Sequence, residues 1–172
     1  MQFAYPSRLE LENVNPDVLV KEIATLFKYK SPLKINVEVD LKADNAFIQV
    51  DKNQIQQVVL DLLINSSEAM LEGGDINIKT YTTVIEKPSL GKVPVCVIEV
   101  ADTGEGIPKD ILSKIFEPFF TTKRDRKGTG MGLAIAKTII DNHKGDLIFQ
   151  SEAGKGTVAR IILPLSEKKE SG

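Results

Sequence analysis

The feature that most limits how this chain can fold is the segment from Asp102 to Thr129, which is rich in glycine, threonine and charged residues. Its pattern predicts only one short helix, at about Lys109 to Ile115. A stretch of this length without regular structure is uncommon inside a compact domain unless it serves a function. Glycine-rich turns stand at both ends, where glycine supplies hinges and lets the backbone approach phosphates closely. The segment therefore favours a ligand-binding domain with a lid.

Patterned segments on either side of this stretch predict the regular elements. Apolar residues recur with period two in the strands and with helical spacing in the helices. Asn15 and Asp51 stand where each is expected to cap a helix. The predicted strands are Arg8–Val14, Ile35–Leu41, Ala46–Val50, Ile76–Ile85, Val93–Val100, Leu147–Gln150 and Val158–Leu163, and the predicted helices are Asn15–Tyr29, Lys52–Met70 and Gly130–Asn142.

The order of these elements decides the fold class. Helices follow strands without strict βαβ alternation, which favours an α+β two-layer sandwich of a mixed sheet and about three helices. Ala46–Val50 is expected to be the hairpin partner of Ile35–Leu41, and the last two strands are expected to form a closing hairpin. We expect one domain over residues 8–165, preceded by a linker remnant at 1–7 and followed by a charged tail at 166–172.

Charge and composition exclude several functional classes. The 172 residues carry a net charge of −2, so no basic surface indicates binding to nucleic acid or to a membrane. The single cysteine, Cys96, lies in an apolar run and excludes a disulfide framework. No apolar run reaches the roughly 18 residues of a membrane-spanning helix. We expect the domain to be cytoplasmic, in a parent protein that is either soluble or membrane-anchored.

The helix predicted at Lys52–Met70 carries a polar face besides its buried stripe. Asp61, Asn65, Glu68 and Glu72 recur at spacings of 4, 3 and 4, which places them on one side of a helix. Carboxylate and amide oxygens one turn apart suit a hard cation such as Mg²⁺, which takes few protein ligands beside substrate phosphates. A solvated polar face is the alternative, and the helix alone does not decide between them.

Two glycine-rich motifs flank the long segment. Asp102 stands at a strand end before the run Gly104–Ile107, where it can accept a hydrogen bond from an exocyclic amine while the chain folds around a flat ring. An ordinary turn is the alternative. The second motif, Gly128–Leu133, opens a helix whose free N–H groups and dipole attract anions, and a flexible hinge is the alternative. Its spacing fits neither a Rossmann fingerprint nor a P-loop.

In this order the motifs resemble the ATPase domain shared by histidine kinases, gyrase, mismatch-repair ATPases and a heat-shock chaperone. The resemblance narrows to sensor histidine kinases, especially the nitrogen-regulation type. The reason is that the run Ile115–Lys123, which contains that family's F box at Phe116–Phe120, is followed by Gly128–Ile135. The resemblance covers about Val14 to Pro164 and implies a Bergerat-type ATP-binding fold with a long ATP lid.

The resemblance also implies roles for individual positions. Asn65 matches the N-box asparagine, which binds the Mg²⁺ that bridges the ATP phosphates. Asp102 matches the aspartate that hydrogen-bonds the adenine amine, with Thr157 nearby through water. The other implied ATP-binding positions, which shape the adenine pocket, the phosphate end and the lid, are Glu68, Ala69, Gly104, Gly106, Ile107, Lys123, Gly128, Thr129, Gly130, Met131, Gly132 and Leu133.

For activity, the resemblance implies transfer of the γ-phosphoryl group of Mg-ATP to a histidine on a separate helical-hairpin dimerisation domain, and then signalling to the receiver domain of a response regulator. Asn65 and Asp61 are the catalytic residues expected. His143, the only histidine, lacks the acceptor's sequence context and is predicted to be a structural residue at a helix end. The isolated domain is expected to be monomeric.

Three positions depart from the family pattern. Asp61 stands where kinases commonly have asparagine and where gyrase-like ATPases have a base glutamate. Glu68 stands where many members carry a basic or amide residue, and Met131 replaces a usual leucine at nearly equal volume. Asp61 keeps open an anti-sigma-type serine kinase or a gyrase-like ATPase. Glu68 keeps open a nucleotide-sensing module without transfer activity.

Overall fold

The computed structural model describes residues 8–31, 34–120 and 132–167. Seven strands and four helices alternate irregularly along this part of the chain. In order they are β1 (Glu12–Val14), α1 (Pro16–Lys30), β2 (Ile35–Lys42), β3 (Ile48–Val50), α2 (Lys52–Glu68), β4 (Gly74–Lys87), β5 (Gly91–Asp102), α3 (Lys109–Leu112), α4 (Gly132–Asn142), β6 (Asp146–Ser151) and β7 (Thr157–Pro164).

The main sheet has five strands in the order β2-β4-β5-β7-β6. β2 and β4 run parallel and the other neighbours are antiparallel, so the sheet is mixed. Alternate residues on one face, such as Ile78, Ile98 and Ile161, are fully buried in the core that also contains the apolar stripes of α1, α2 and α4. This arrangement confirms the predicted α+β class and the closing hairpin of β6 and β7.

One predicted strand pairing is wrong. Ala46–Val50 is predicted to pair with the strand at Ile35–Leu41, but β3 pairs antiparallel with β1 in a separate two-stranded sheet. Asp44 and Asn45 do make a turn with positive φ, yet the chain leaves the main sheet there. β2 pairs along its whole length with β4 instead, which buries Ile35 and Val37 against the helices. A non-local pairing therefore overrides a local turn signal.

Both predicted helix caps are confirmed. The Asn15 side chain accepts hydrogen bonds from the backbone N–H groups of Asp17 and Val18, at 2.9 and 3.4 Å. The Asp51 carboxylate accepts one from the N–H of Gln54, at 3.3 Å. Each cap satisfies an N–H group that has no partner within its helix. These contacts fix where α1 and α2 begin.

His143 is a structural residue, as predicted. It is buried at the end of α4, and its Nε2 accepts a hydrogen bond from the N–H of Asp51, at 3.0 Å. Its Nδ1 lies 2.7 Å from the carbonyl oxygen of Ile139 and therefore carries the proton. Nε2 therefore joins the end of α4 to the start of α2, and Nδ1 is engaged with the last turn of α4 itself.

Across residues 8–31, 34–120 and 132–167, none of the helices is both long enough and apolar enough to cross a membrane.

Candidate active site

The candidate site lies where β5 ends beside β4 and β7. Asp102 is the last residue of β5, and in the sheet register it stands opposite Ile76 of β4 and Thr157 of β7. The C-terminal half of α2 approaches the same end of the sheet, since the N–H of Glu105 donates to the carbonyl oxygen of Ala69 at 3.3 Å. The end of α2, the loop after Asp102 and the β6–β7 hairpin therefore lie together, although they are far apart in sequence.

Two backbone groups hold the Asp102 carboxylate in one orientation. Its Oδ1 accepts hydrogen bonds from the N–H of Gly104 at 2.9 Å and from the N–H of Thr157 at 3.3 Å. Among the residues that the structure describes, none donates to Oδ2. The half-buried side chain therefore presents Oδ2 as a fixed acceptor for a donor group on a ligand.

Glycine is required at three positions around this carboxylate. A Cβ at Gly104 would lie 2.8 Å from the Cβ of Ala69. Gly106 has φ +73° and a Cβ there would lie 2.0 Å from the carbonyl oxygen of Glu152. Gly156 has φ +86° and a Cβ there would lie 2.1 Å from the carbonyl oxygen of Asp102. The loop after β5 and the β6–β7 turn are consequently packed backbone against backbone.

Two side chains that the sequence did not single out hold this loop. Ser151, the last residue of β6, accepts a hydrogen bond from the N–H of Ile107 through its Oγ, at 2.8 Å. The Oγ1 of Thr103 accepts one from the N–H of Asp75 at 3.0 Å and lies 3.6 Å from the sulfur of Met70. Strand alternation places Ser151 on the same face as the buried Leu147, which is the one sequence feature that could have drawn attention to it. Alternation does not predict which groups Ser151 contacts.

A cavity of about 300 Å³ opens between the end of α2 and the loop after β5. It brings together three residues that the family resemblance assigned to ATP binding: Glu68, Ala69 and Gly104. Leu133, near the start of α4, is half-buried and packs against the core. The positions Lys123, Gly128, Thr129, Gly130 and Met131 lie outside the described residues.

The polar face of α2 carries Asp61 and Asn65, both half-buried. Desolvation by burial raises the pKa of the Asp61 carboxyl to about 6, because the charged form is poorly hydrated there. Glu72, by contrast, lies beyond the end of α2 and is exposed. The helix therefore presents Asp61 and Asn65 on a partly dehydrated surface, and Glu72 does not belong to it.

Asp61→Asn is expected to stabilise the fold above neutral pH. Because the folded-state pKa is raised, protonated Asp61 contributes to the free energy of unfolding. This contribution is fully present below the unfolded pKa of 3.8 and is lost as the pH rises through about 6. An uncharged amide avoids that loss. After discounting for partial exposure, we expect a gain of about 1–2 kcal/mol in unfolding free energy at about pH 8.

Urea denaturation between about pH 8 and about pH 4 measures this difference. The advantage of Asp61→Asn over the wild type should shrink as the pH falls through about 6. Glu12→Gln, at an exposed position of β1, is the control and should track the wild type. A difference between Asp61→Asn and the wild type that is independent of pH would contradict a dehydrated carboxyl.

The fold and the site define a class of nucleotide-binding α+β domains, and comparison with known proteins identifies the family. The family model described as "Histidine kinase-, DNA gyrase B-, and HSP90-like ATPase" matches residues 50–167. The chain belongs to this family. The match includes α2, the loop after β5 and the last hairpin, which are the elements that form the candidate site.

Curated relatives and solved structures narrow the likeness to histidine kinases. The chain is 40% identical over 148 residues to sensor kinase CckA of Brucella abortus, covering 80% of this chain and 16% of the relative. It is 42% identical over 124 residues to the sensory histidine kinase/phosphatase NtrB of Rhodobacter capsulatus, covering 69% of this chain and 34% of the relative. The chain therefore spans about a third or less of the length of these relatives.

Among solved structures, the catalytic domain of histidine kinase ThkA is similar with a TM-score of 0.74 and 30% identity. That likeness covers 90% of this chain and 97% of the ThkA domain. The predicted fold and the predicted relationship to sensor histidine kinases are both confirmed.

Proposed function

We propose that this chain is the catalytic module of a sensor histidine kinase, which binds Mg-ATP and transfers its γ-phosphoryl group to a histidine on a separate helical-hairpin domain. The observation that carries the proposal is the Asp102 carboxylate, held by two backbone N–H groups at the sheet end of a histidine-kinase-like fold. We further propose that the module occupies residues 8–165 and acts as a monomer.

At the adenine end, Oδ2 of Asp102 is the proposed acceptor for the exocyclic amine. Ala69 and the loop Gly104–Ile107 are the proposed walls around the ring, because Ala69 and Gly104 line the same cavity. Close backbone packing at Gly104 and Gly106 holds this loop in place. Thr157 reaches the base through water, and Leu133 lines the apolar side. These roles place base recognition on rigid sheet and loop backbone.

At the phosphate end, the residues present fit a magnesium ion. Asn65 and Asp61 offer an amide and a carboxylate oxygen one helical turn apart on α2, with Glu68 near the same surface. Mg²⁺ is commonly held by one or two protein groups together with substrate phosphates, so a larger acidic cluster is not required. When bound, Mg²⁺ neutralises charge on the phosphates. Further phosphate contacts are proposed for Lys123, Gly128, Thr129, Gly130, Met131 and Gly132.

The chemistry assigned to this chain is positioning and charge neutralisation, which is most of what a protein supplies in phosphoryl transfer. Asn65 orients the phosphates and Asp102 fixes the base. The attacking imidazole comes from the hairpin domain, because both nitrogens of His143 are hydrogen-bonded within this domain. We propose that a response-regulator receiver domain is the next acceptor, since ThkA has been solved in complex with the response regulator protein TrrA.

Asp61 favours one alternative. A dehydrated carboxyl with a pKa of about 6 is suited to take a proton from water near neutral pH. That property would serve a gyrase-like ATPase or an anti-sigma-type serine kinase. A module that senses nucleotide without transferring phosphate remains the alternative suggested by Glu68. The identity of the phosphoryl acceptor separates these three functions.

Asp102→Asn is expected to weaken ATP and ADP binding by a similar factor, because both nucleotides share the base contact. The amide oxygen can still accept from the N–H groups of Gly104 and Thr157, so the fold is kept. The amide NH₂ then replaces Oδ2 and faces the adenine amine donor to donor. We expect a loss of about 1.5–3 kcal/mol in binding free energy for each nucleotide.

Calorimetric titration with both nucleotides measures this loss. Asp75→Asn is the matched control, because Asp75 lies on β4 near the same end of the sheet and its exposed side chain contacts Asn36. The control should bind like the wild type. Unchanged affinity of Asp102→Asn for both nucleotides would remove Asp102 from the site.

A further inference from the structure

The Ser151 hydroxyl joins three segments beside the candidate site. Its Oγ lies 2.8 Å from the N–H nitrogen of Ile107, 2.9 Å from the carbonyl oxygen of Gly156 and 2.8 Å from the Oγ1 of Thr157. One hydroxyl therefore contacts the loop after β5, the β6–β7 turn and the first residue of β7.

These partners determine which atom donates each proton. The Ile107 N–H can only donate and the Gly156 carbonyl can only accept. The Ser151 hydroxyl therefore accepts from Ile107 and donates its one proton to the Gly156 carbonyl. The third contact is then satisfied only if Thr157 donates its own hydroxyl proton to Ser151. Any other arrangement leaves a part-buried polar group without a partner, which costs free energy.

The fixed proton gives the Thr157 hydroxyl a defined polarity. With its proton directed to Ser151, Thr157 offers only lone pairs to other partners. Asp102 also offers only an acceptor. Its Oδ1 already accepts from the N–H groups of Gly104 and Thr157, so Oδ2 is the oxygen that faces other partners. A ligand or a bridging water beside Asp102 and Thr157 must therefore donate hydrogen bonds.

We infer that Ser151 is a positioning residue that sets the base specificity of the nucleotide site, by holding Thr157 as an acceptor so that a 6-amino purine is preferred over a 6-oxo purine. A water that bridges Thr157 and Asp102 donates one proton to each, so it presents only lone pairs to the base. These lone pairs and Oδ2 of Asp102 accept from a 6-amino group and repel a 6-oxo group. The inference rests on the proposed nucleotide site and is independent of which group receives the phosphate.

The test is equilibrium binding of ADP and inosine diphosphate to the whole chain, with no phosphoryl acceptor present. Inosine diphosphate carries an oxo group in place of the amine and is otherwise similar in shape. In Ser151→Ala, the Thr157 hydroxyl is released and can donate to the bridging water, which frees a water proton for the oxo group. The ratio of ADP affinity to inosine diphosphate affinity should fall by about three- to tenfold.

Three further variants separate specificity from general damage to the site. Ser151→Thr keeps the hydroxyl and should keep the wild-type ratio. Ser31→Ala removes a hydroxyl that contacts the carbonyl of Lys28, in another part of the fold, and should leave both affinities unchanged. Thr157→Val should lower the ratio by itself, and adding Ser151→Ala to it should lower the ratio no further, because the two residues act through one hydroxyl.

Two results would overturn the inference. Equal losses of both affinities in Ser151→Ala would show that the serine only holds the loop. An unchanged ratio in Thr157→Val would show that Thr157 does not sense the base, and this arm is decisive even if Ser151→Ala folds poorly. Wild-type protein that binds neither nucleotide would instead refute the proposed nucleotide site, and with it this inference.

Discussion

Gly156→Ala is expected to destabilise the domain by about 2–5 kcal/mol and to abolish measurable nucleotide binding. Two costs act together at this residue. Its φ of +86° is unfavourable for a residue with a Cβ, and that Cβ would lie 2.1 Å from the carbonyl oxygen of Asp102. The backbone must move to relieve the overlap. Because one of the two overlapping atoms belongs to Asp102, this movement displaces the residue proposed to bind the base.

Gly154→Ala is the matched control, because Gly154 lies in the same turn with a similar φ of +81°, but a Cβ there would meet no atom within 4 Å outside its chain neighbours. It should lose only the backbone part of the cost, about 1–2 kcal/mol, and should still bind nucleotide. Urea denaturation and ADP titration measure both variants. Equal losses of stability and binding in the two variants would refute the argument that the turn packs against Asp102.

Asn65→Ala is expected to lower phosphoryl transfer by roughly 10²- to 10³-fold. In the proposed site the amide oxygen of Asn65 orients Mg²⁺ and the phosphates, so its removal should affect the metal-bound phosphates and leave the proposed base contact at Asp102 in place. The Mg²⁺-dependent part of ATP affinity should therefore disappear, while affinity for metal-free adenosine stays nearly unchanged. Titrations of ATP with and without Mg²⁺, and of adenosine, measure the difference.

Asn53→Ala on the same helix is the control for this variant. Asn53 is exposed in the first turn of α2, far from the candidate site along the helix, and its loss should leave transfer and affinity unchanged. If Asn65→Ala weakens ATP binding equally with and without Mg²⁺, Asn65 does not act through the metal.

The local features of this fold could be predicted because they depend on neighbouring residues. Alternation located β4, β5 and the last hairpin, and the caps at Asn15 and Asp51 were identified from residue type and position. The pairing of β3 could not be predicted in this way. Its partner β1 lies across α1 in sequence, and the local sequence around β3 does not distinguish β1 from β2 as a partner.

The site shows the same division. The motifs around Asn65 and Asp102 could be identified from spacing and from the resemblance to a known family. The contacts of Ser151 could not, because a serine at a strand end has many possible partners and only the folded backbone brings Ile107 and Gly156 to it. The raised pKa of Asp61 likewise depends on burial, which spacing along a helix does not measure.

Transfer of labelled phosphate tests the central claim most directly. The chain is incubated with γ-labelled ATP and Mg²⁺, alone and together with the helical-hairpin domain of a related histidine kinase as a separate polypeptide. We expect label on the hairpin histidine only, at a rate limited by encounter because the two domains are not tethered. Label on His143 of this chain, or fast phosphate release that Asp61→Asn abolishes while the hairpin stays unlabelled, would contradict the account.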